Sequence, residues 1–249
     1  MVGSGEFVRE WVEYKMGIIK QVFAGLRGLS KRQVALYLLR RAGHGCRVLY
    51  YLRTTPRDLI PQFVQCFDEE MRGALEDILG LVFDDAQWEQ ASLPTRSSGL
   101  GLCRASDVAD IAYIASRHTT FGDCRALDAR HVWDDGTVRG DGTPDVIGEW
   151  LCGSRARFNA ALPEHRRLSS GHRPDGEFTQ KLMSAVYHKN RRDRMVSSAG
   201  VWDKARLEAT AAPHSGAWLD ALPSCALDTQ LSNAEVQYGV GRRLAVELW

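Results

Sequence analysis

Apolar residues recur at three- and four-residue spacing in segment after segment of this 249-residue chain, and no segment shows sustained alternation with a period of two. Such a chain buries its apolar surface by packing helices on one another rather than by pairing strands, so the pattern predicts an all-α fold. Phe7, Trp11, Tyr14, Ile18 and Val22 trace one face of a helix over about 6–26, which Gly25 and Gly28 end. Ser30-Lys31-Arg32-Gln33 has the form of a capping box and predicts a second helix, apolar on every side from Val34 to Leu39 apart from the Tyr37 hydroxyl. Thr55-Pro56 predicts an N-cap with proline at the first helical position, and Pro61 a kink or restart. Phe63, Phe67, Met71, Leu75 and Ile78 then trace a face as far as Gly80. Asp84-Asp85-Ala86-Gln87 repeats the capping logic ahead of Trp88. After a loop over 93–102 with Pro94, Gly99 and Gly101, Ser106 is the expected cap of a helix using Val108, Ile111, Ala112 and Ala115.

These five helices account for residues 6–117. Residues 118–143 are rich in turn formers (Gly122, Asp134, Asp135, Gly136, Gly140, Asp141, Gly142) and are expected to be a linker or long loop. Thr143-Pro144 restarts helix, with Val146, Ile147, Trp150, Leu151 and Phe158 following up to Pro163. After a polar stretch over 163–176, further helices are expected at about 178–198, 202–212 and 233–246, the last capped by Ser232 with Glu235. The division is therefore a helical domain over 1–117, a linker over 118–143 and a smaller helical domain over 144–249.

Thirty-two basic side chains against 31 acidic ones leave a net charge of +1, so no global field argues for nucleic acid, anionic membrane or an acidic partner. No stretch approaches the roughly 18 apolar residues of a membrane span. The residues after Met1 lack the basic start and apolar core of a signal peptide, so a soluble, intracellular protein without a membrane partner is expected. The six cysteines (46, 66, 103, 124, 152, 225) have no paired spacing, which predicts free thiols in a reducing compartment. Twenty-six of the basic residues are Arg and six Lys, a bias that suits phosphate and carboxylate contacts and that GC-rich codon usage would also give.

No motif assembles a catalytic site. Phe83-Asp84-Asp85 invites comparison with the carboxylate pair of two-metal polymerases, but the Phe directly precedes the first Asp and the run continues as helix, so both carboxylates are read as helix-cap groups. His118, Cys124 and His131, and the near pair His44 and Cys46, lack the short paired spacing of a zinc site. Gly3-Ser4-Gly5 lacks the ending of a phosphate loop, and Pro174-Asp175 with Glu177 reads as a polar loop. No catalytic residue, metal or cofactor is expected.

Charge distribution says more. Arg27, Lys31, Arg32, Arg40, Arg41, Arg47, Arg53 and Arg57 form a stretch without one acidic residue, while residues 68–89 carry eight acids against Arg72 alone. Two explanations compete: the basic stretch meets phosphates, or it pairs with the acidic helix across the fold. Tyr50 and Tyr51 lie between the arginines, where one could stack on a base.

The ordered motifs Gly3-Ser4-x-x-Phe7-Val8, Leu52-Arg53-Thr54-x-Pro56, Phe67-Asp68 leading to Leu79-Gly80, Trp88-x-Gln90-Ala91-Ser92-Leu93-Pro94 and Gly99-Leu100-Gly101-Leu102 resemble the region just downstream of the palm in reverse-transcriptase-like proteins of non-LTR retrotransposons. The resemblance resumes at Thr179-Gln180-Lys181-x-x-Ser184-Ala185, Ala205-Arg206-Leu207, Pro213-His214-Ser215-Gly216-Ala217-Trp218-Leu219 and Ala221-Leu222-Pro223, which look like the helical segment linking polymerase to a C-terminal zinc-knuckle and nuclease-like region. It implies a thumb-like bundle over 1–117 and a connector over 144–249, with the catalytic palm before Met1 and the metal-binding cluster after Trp249. A thumb cradles the template-primer duplex, so the resemblance implies a non-catalytic fragment contacting RNA or DNA through Lys31, Arg32, Arg40, Arg41, Arg47, Arg53 and Arg57. The alternative is an all-α interaction or scaffold protein with a protein partner.

Overall fold

The structure, a computed structural model, describes residues 5–43, 46–129, 131, 133, 146–169, 173 and 178–247, excluding the side chains of 42, 43, 46 and 47. Among these residues there is no strand, and the fold is all-α. The helices are α1 (Gly5–Arg27), α2 (Arg32–Leu38), α3 (Cys46–Thr54), α4 (Pro61–Leu79), α5 (Asp85–Ala91), α6 (Ala105–Leu127), α7 (Val146–Ala160), α8 (Gln180–Ser198), α9 (Val201–Ala211), the single turn α10 (Ala217–Asp220) and α11 (Asn233–Leu244). A wider π-type turn over Leu39–Gly43 extends α2 at its C-terminal end.

Two apolar cores share α6 as a common wall. The larger holds Phe23, Leu36, Leu52, Phe63, Phe67, Met71 and Leu75 from the first four helices, and Leu219, Val236, Val240 and Leu244 return to it from the far end of the chain. The smaller gathers Ile111, Ile114, Leu151, Phe158, Leu162 and Phe178, with Met183 and Tyr187 of α8 packed against it. A helix serving both cores must be apolar nearly all round, and Val108, Ala109, Ile111, Ala112, Tyr113, Ile114 and Ala115 are all buried. The cores therefore cut across the expected division at 117 and 144, since α11 packs with the first helices while α7 and α8 pack on α6.

The α4 face is as the spacing predicts, with Phe63, Phe67, Met71, Leu75 and Ile78 all buried. Pro61 restarts the helix after a single tight turn over Arg57–Leu59, because its missing N–H costs nothing at a first helical position. The capping boxes at Asp84 with Gln87 and at Ser232 with Glu235 both form. Helices stand near the other expected segments, at α7, α8, α9 and α11. Gly3-Ser4, residues 134–143 with Pro144, and Pro174-Asp175 with Glu177 lie outside the described residues.

Several expectations are corrected. Along α1 the buried side chains are Met16, Phe23 and Leu26, with Val8, Trp11, Val12 and Ile19 beside them, while Phe7, Tyr14 and Val22 are exposed. Both stripes have helical spacing, and contact with α4, such as Phe23 on Phe67 at 5.9 Å, decides between them. The Ser30 box does not form: the Gln33 side chain donates to the Thr229 carbonyl at 2.9 Å and accepts from the Leu231 N–H at 2.7 Å, pinning a distant segment instead. Ser106 does not cap α6; the Asp68 carboxylate of α4 accepts the Ala105 and Ser106 N–H groups at 2.6 and 3.2 Å. Burial pushes that carboxyl up to about 6, against the lowering effect of these bonds. Residues 118–127, expected in a linker, continue α6, because His118 packs on Phe178 and Phe121 on His131 and Trp133, partners further along the chain.

One buried ionic cluster joins three helices. Arg191 of α8, 2% exposed, donates to Asp107 of α6 at 2.6 Å, to the Glu89 carboxylate of α5 at 3.3 Å and carbonyl at 3.1 Å, and to Ser92 Oγ at 3.0 Å. Arg104 grips Asp107 through two bonds at 2.9 and 2.7 Å, and the Tyr187 hydroxyl donates to it at 3.3 Å. Asp107→Ala leaves Arg191 buried without its carboxylate and is expected to cost about 3–5 kcal/mol in urea unfolding. Replacing both partners by apolar residues, Asp107→Leu with Arg191→Met, is expected to recover much of that loss.

Candidate nucleic-acid interface

The seven basic residues singled out in the sequence do not form one surface. Arg40 is buried: Nε donates to the Leu100 carbonyl at 2.5 Å, one terminal nitrogen donates to the Leu219 carbonyl, and the other reaches Thr95 Oγ1 at 3.1 Å and Asp220 at 3.0 Å. Its donors are spent on protein acceptors, so it does not face a phosphate. Arg41 shares Asp220 at 3.3 Å and lies over the Tyr37 ring, yet its side chain is 58% exposed. Arg32 donates to Gln237 Oε1 at 3.0 Å on α11, and Arg57 to Asp110 at 3.4 Å. Arg53 is exposed and, among the described residues, donates only to the neutral Gln180 side chain, at 2.9 Å. Lys31 is exposed with no ion pair among the described residues, and the Arg47 side chain lies outside them.

Among the described side chains, pairing of the basic stretch with the 68–89 acids holds for Arg27 alone, which meets Glu70 at 3.3 Å and Asp77 at 2.8 Å. The other pairs reach Asp110 and Asp220 instead, acids too distant in sequence for charge blocks to reveal.

What Arg40 does becomes clear at the 93–101 loop. Arg243 of α11 donates to the Gly99 carbonyl at 2.9 Å and the Thr95 carbonyl at 2.7 Å, and Gln90 donates to the Ser98 and Arg243 carbonyls, each at 2.9 Å. Ser98 Oγ donates to the Leu207 carbonyl at 2.6 Å, while Arg206 reaches Gln90 Oε1 at 3.0 Å and the Arg243 carbonyl. Buried backbone carbonyls must be paired, and arginine supplies several donors from one side chain. Burial, with Arg40 and Arg206 close by, lowers Arg243 to about 10. The crowding explains two glycines: a Cβ at Gly99 would stand 1.9 Å from the Leu93 carbonyl oxygen, and one at Gly216 would stand 2.0 Å from Thr95 Cγ2.

The carboxylates of Phe83-Asp84-Asp85 are committed locally. Asp84 accepts the Gln87 N–H at 2.7 Å, and Asp85 pairs with Arg72 at 2.8 Å. Among the described residues no group of three or more His, Cys, Asp or Glu is placed to hold a metal, and His118 is packed among aromatic rings. His44 and the Cys46 side chain lie outside the described residues. The described cysteines 66, 103, 124, 152 and 225 are free thiols, and burial pushes Cys103 up to about 12. No described helix is long and apolar enough to cross a membrane.

A cavity of about 340 Å³ opens between α3, α4, the start of α6 and α8. Leu52, Phe67 and Val108 form apolar walls, and Gln180, Ser184 and His188 line it from α8. Their four-residue spacing is the signal by which the sequence could have revealed them, since it stacks three polar groups on one helix face. Burial lowers His188 to about 4, so the imidazole is uncharged at neutral pH.

No protein-family model, curated protein or solved structure matches this chain.

The two adjacent arginines are expected to separate cleanly in mutagenesis. Arg40→Gln strips the Leu100 and Leu219 carbonyls of their donor and should cost at least about 2 kcal/mol in chemical unfolding, whereas Arg41→Gln should change stability by less than about 0.5 kcal/mol.

Proposed function

We propose that this chain is a non-catalytic helical part of a retroelement reverse-transcriptase-like protein, the thumb and the connector beyond it, and that it contacts template-primer nucleic acid. The observation that carries the reading is the convergence of the segments on which the resemblance rests. Residues 88–94 meet residues 205–207 through Gln90 and Arg206, and the 95–98 turn that joins 88–94 to 99–102 meets Leu207 through Ser98 and Gly216 through Thr95. Motifs separated by more than a hundred positions in the sequence thus serve one packed junction, as ordered motifs of a single family unit would. Contact with phosphates falls to the exposed cations, Lys31, Arg41 and Arg53, rather than to the whole basic stretch.

A second reading, an all-α interaction or scaffold protein, draws support from the internal bonding of Arg32, Arg40 and Arg57 and from the exposed Phe7, Tyr14 and Val22 on α1. Fluorescence anisotropy with an RNA–DNA hybrid across a salt series separates the two. Weak, sequence-insensitive binding is expected, with a log-log salt slope that flattens by about two units in Lys31→Gln with Arg53→Gln and no loss of thermal stability. Absence of binding at low salt would favour the interaction protein.

A further inference from the structure

The cavity beside α8 combines features that the proposed contact with nucleic acid does not itself require. Leu49, Leu52, Phe67 and Val108 give it apolar walls, Gln180, Ser184 and His188 form a polar row along α8, and Ser92, Thr95 and Cys103 add polar groups from the other side. His188 Nδ1 is buried and has no hydrogen-bond partner among the described residues. Three hydrogen-bonding side chains at four-residue spacing along one wall of an otherwise largely apolar chamber of this size mark a place for a ligand with polar atoms on its edge.

The charges around the chamber restrict that ligand. Arg104 and Arg191 are spent on Asp107, so the interior has no free counter-ion for a charged group. The mouth is different. Arg53 bonds to Gln180 and to no other group among the described residues, Lys181 is exposed and next in sequence to Gln180, and exposed Arg96 follows Pro94 and Thr95, which line the chamber. Neither Lys181 nor Arg96 has a carboxylate partner among the described residues. A chamber of this kind fits a flat, uncharged ring with hydrogen-bonding atoms on its edge, joined to an anion that stays outside. A nucleobase on its sugar-phosphate has that chemistry.

We propose that this cavity receives one unpaired nucleobase of a nucleic-acid strand, with Gln180, Ser184 and His188 along the edge of the base and Arg53, Arg96 and Lys181 at the flanking phosphates. The proposal rests on the nucleic-acid reading above and adds a preference for an unpaired nucleotide to it. Neutral His188 presents one N–H and one lone pair, so it can meet either a donor or an acceptor on the base edge.

The test compares a duplex oligonucleotide carrying a short single-stranded overhang with the same duplex carrying abasic sites in the overhang, by anisotropy on the full chain. Removing the bases is expected to weaken binding about tenfold. Ser184→Phe, which fills the chamber from a half-buried position, is expected to bind both duplexes at the weaker, abasic level with unchanged circular dichroism. Should that variant misfold, 2-aminopurine fluorescence in the overhang on the wild-type chain gives the same answer, a change with the intact chain and none with His188→Phe supporting the proposal. Equal affinity for intact and abasic overhangs, with ordinary salt dependence, would overturn the cavity proposal and leave the proposed function standing. Failure of the wild-type chain to bind either duplex would overturn both.

Discussion

A guanidinium can be buried only if its N–H donors find acceptors, and a loop can be buried only if its carbonyls find donors. The two demands are met together at the 93–101 loop. Arg40 from the turn after α2 and Arg243 from α11 enter it from opposite ends of the sequence and bond to Leu100, Gly99 and Thr95. The loop in turn holds α9 through Ser98 and the 213–219 segment through Thr95 and Gly216. Without the arginines, the return of Val236, Val240 and Leu244 to the first core would leave a row of buried carbonyls unpaired beneath them. Arg191 on Asp107 repeats the device between α8 and α6, so both cores are tied to α6 and its approach by buried arginine.

The excess of arginine over lysine has a structural use on this account. A planar fork with five donors can bridge carbonyls of two or three segments at once, which an ammonium group does poorly. The same use reduces the charge available for partners. Of the basic stretch, only Lys31, Arg41 and Arg53 are exposed among the described side chains, while Arg96 and Lys181 are exposed at positions that no charge block marked. Surface electrostatics in this chain therefore follow from packing rather than from the linear run of charges.

What the sequence made legible was local. The Asp84 and Ser232 caps, the Pro61 restart and the α4 face need only neighbours three or four residues away, and all are present. What it hid was non-local. The α1 face depends on α4, Gln33 is drawn away from its own helix by Thr229 and Leu231, and α6 is capped by Asp68 rather than by Ser106. The same holds for the site: Arg40 looked like a phosphate contact because the carbonyls that use it lie 60 and 179 positions away. The row Gln180, Ser184 and His188 was visible as spacing but had no meaning until the opposite walls were in place.

Hydrogen-deuterium exchange on Arg243→Met tests the stapled loop most directly. In the intact chain the Leu100 and Gly101 N–H groups bond to the Ala91 and Leu93 carbonyls at 3.0 and 2.8 Å and are expected to exchange slowly. Loss of Arg243 is expected to speed exchange of these amides and of α11 together, while α7 in the smaller core keeps its protection. Unchanged protection of the loop, or loss confined to the last turn of α11, would contradict the claim that buried arginine holds the distant segments in one fold.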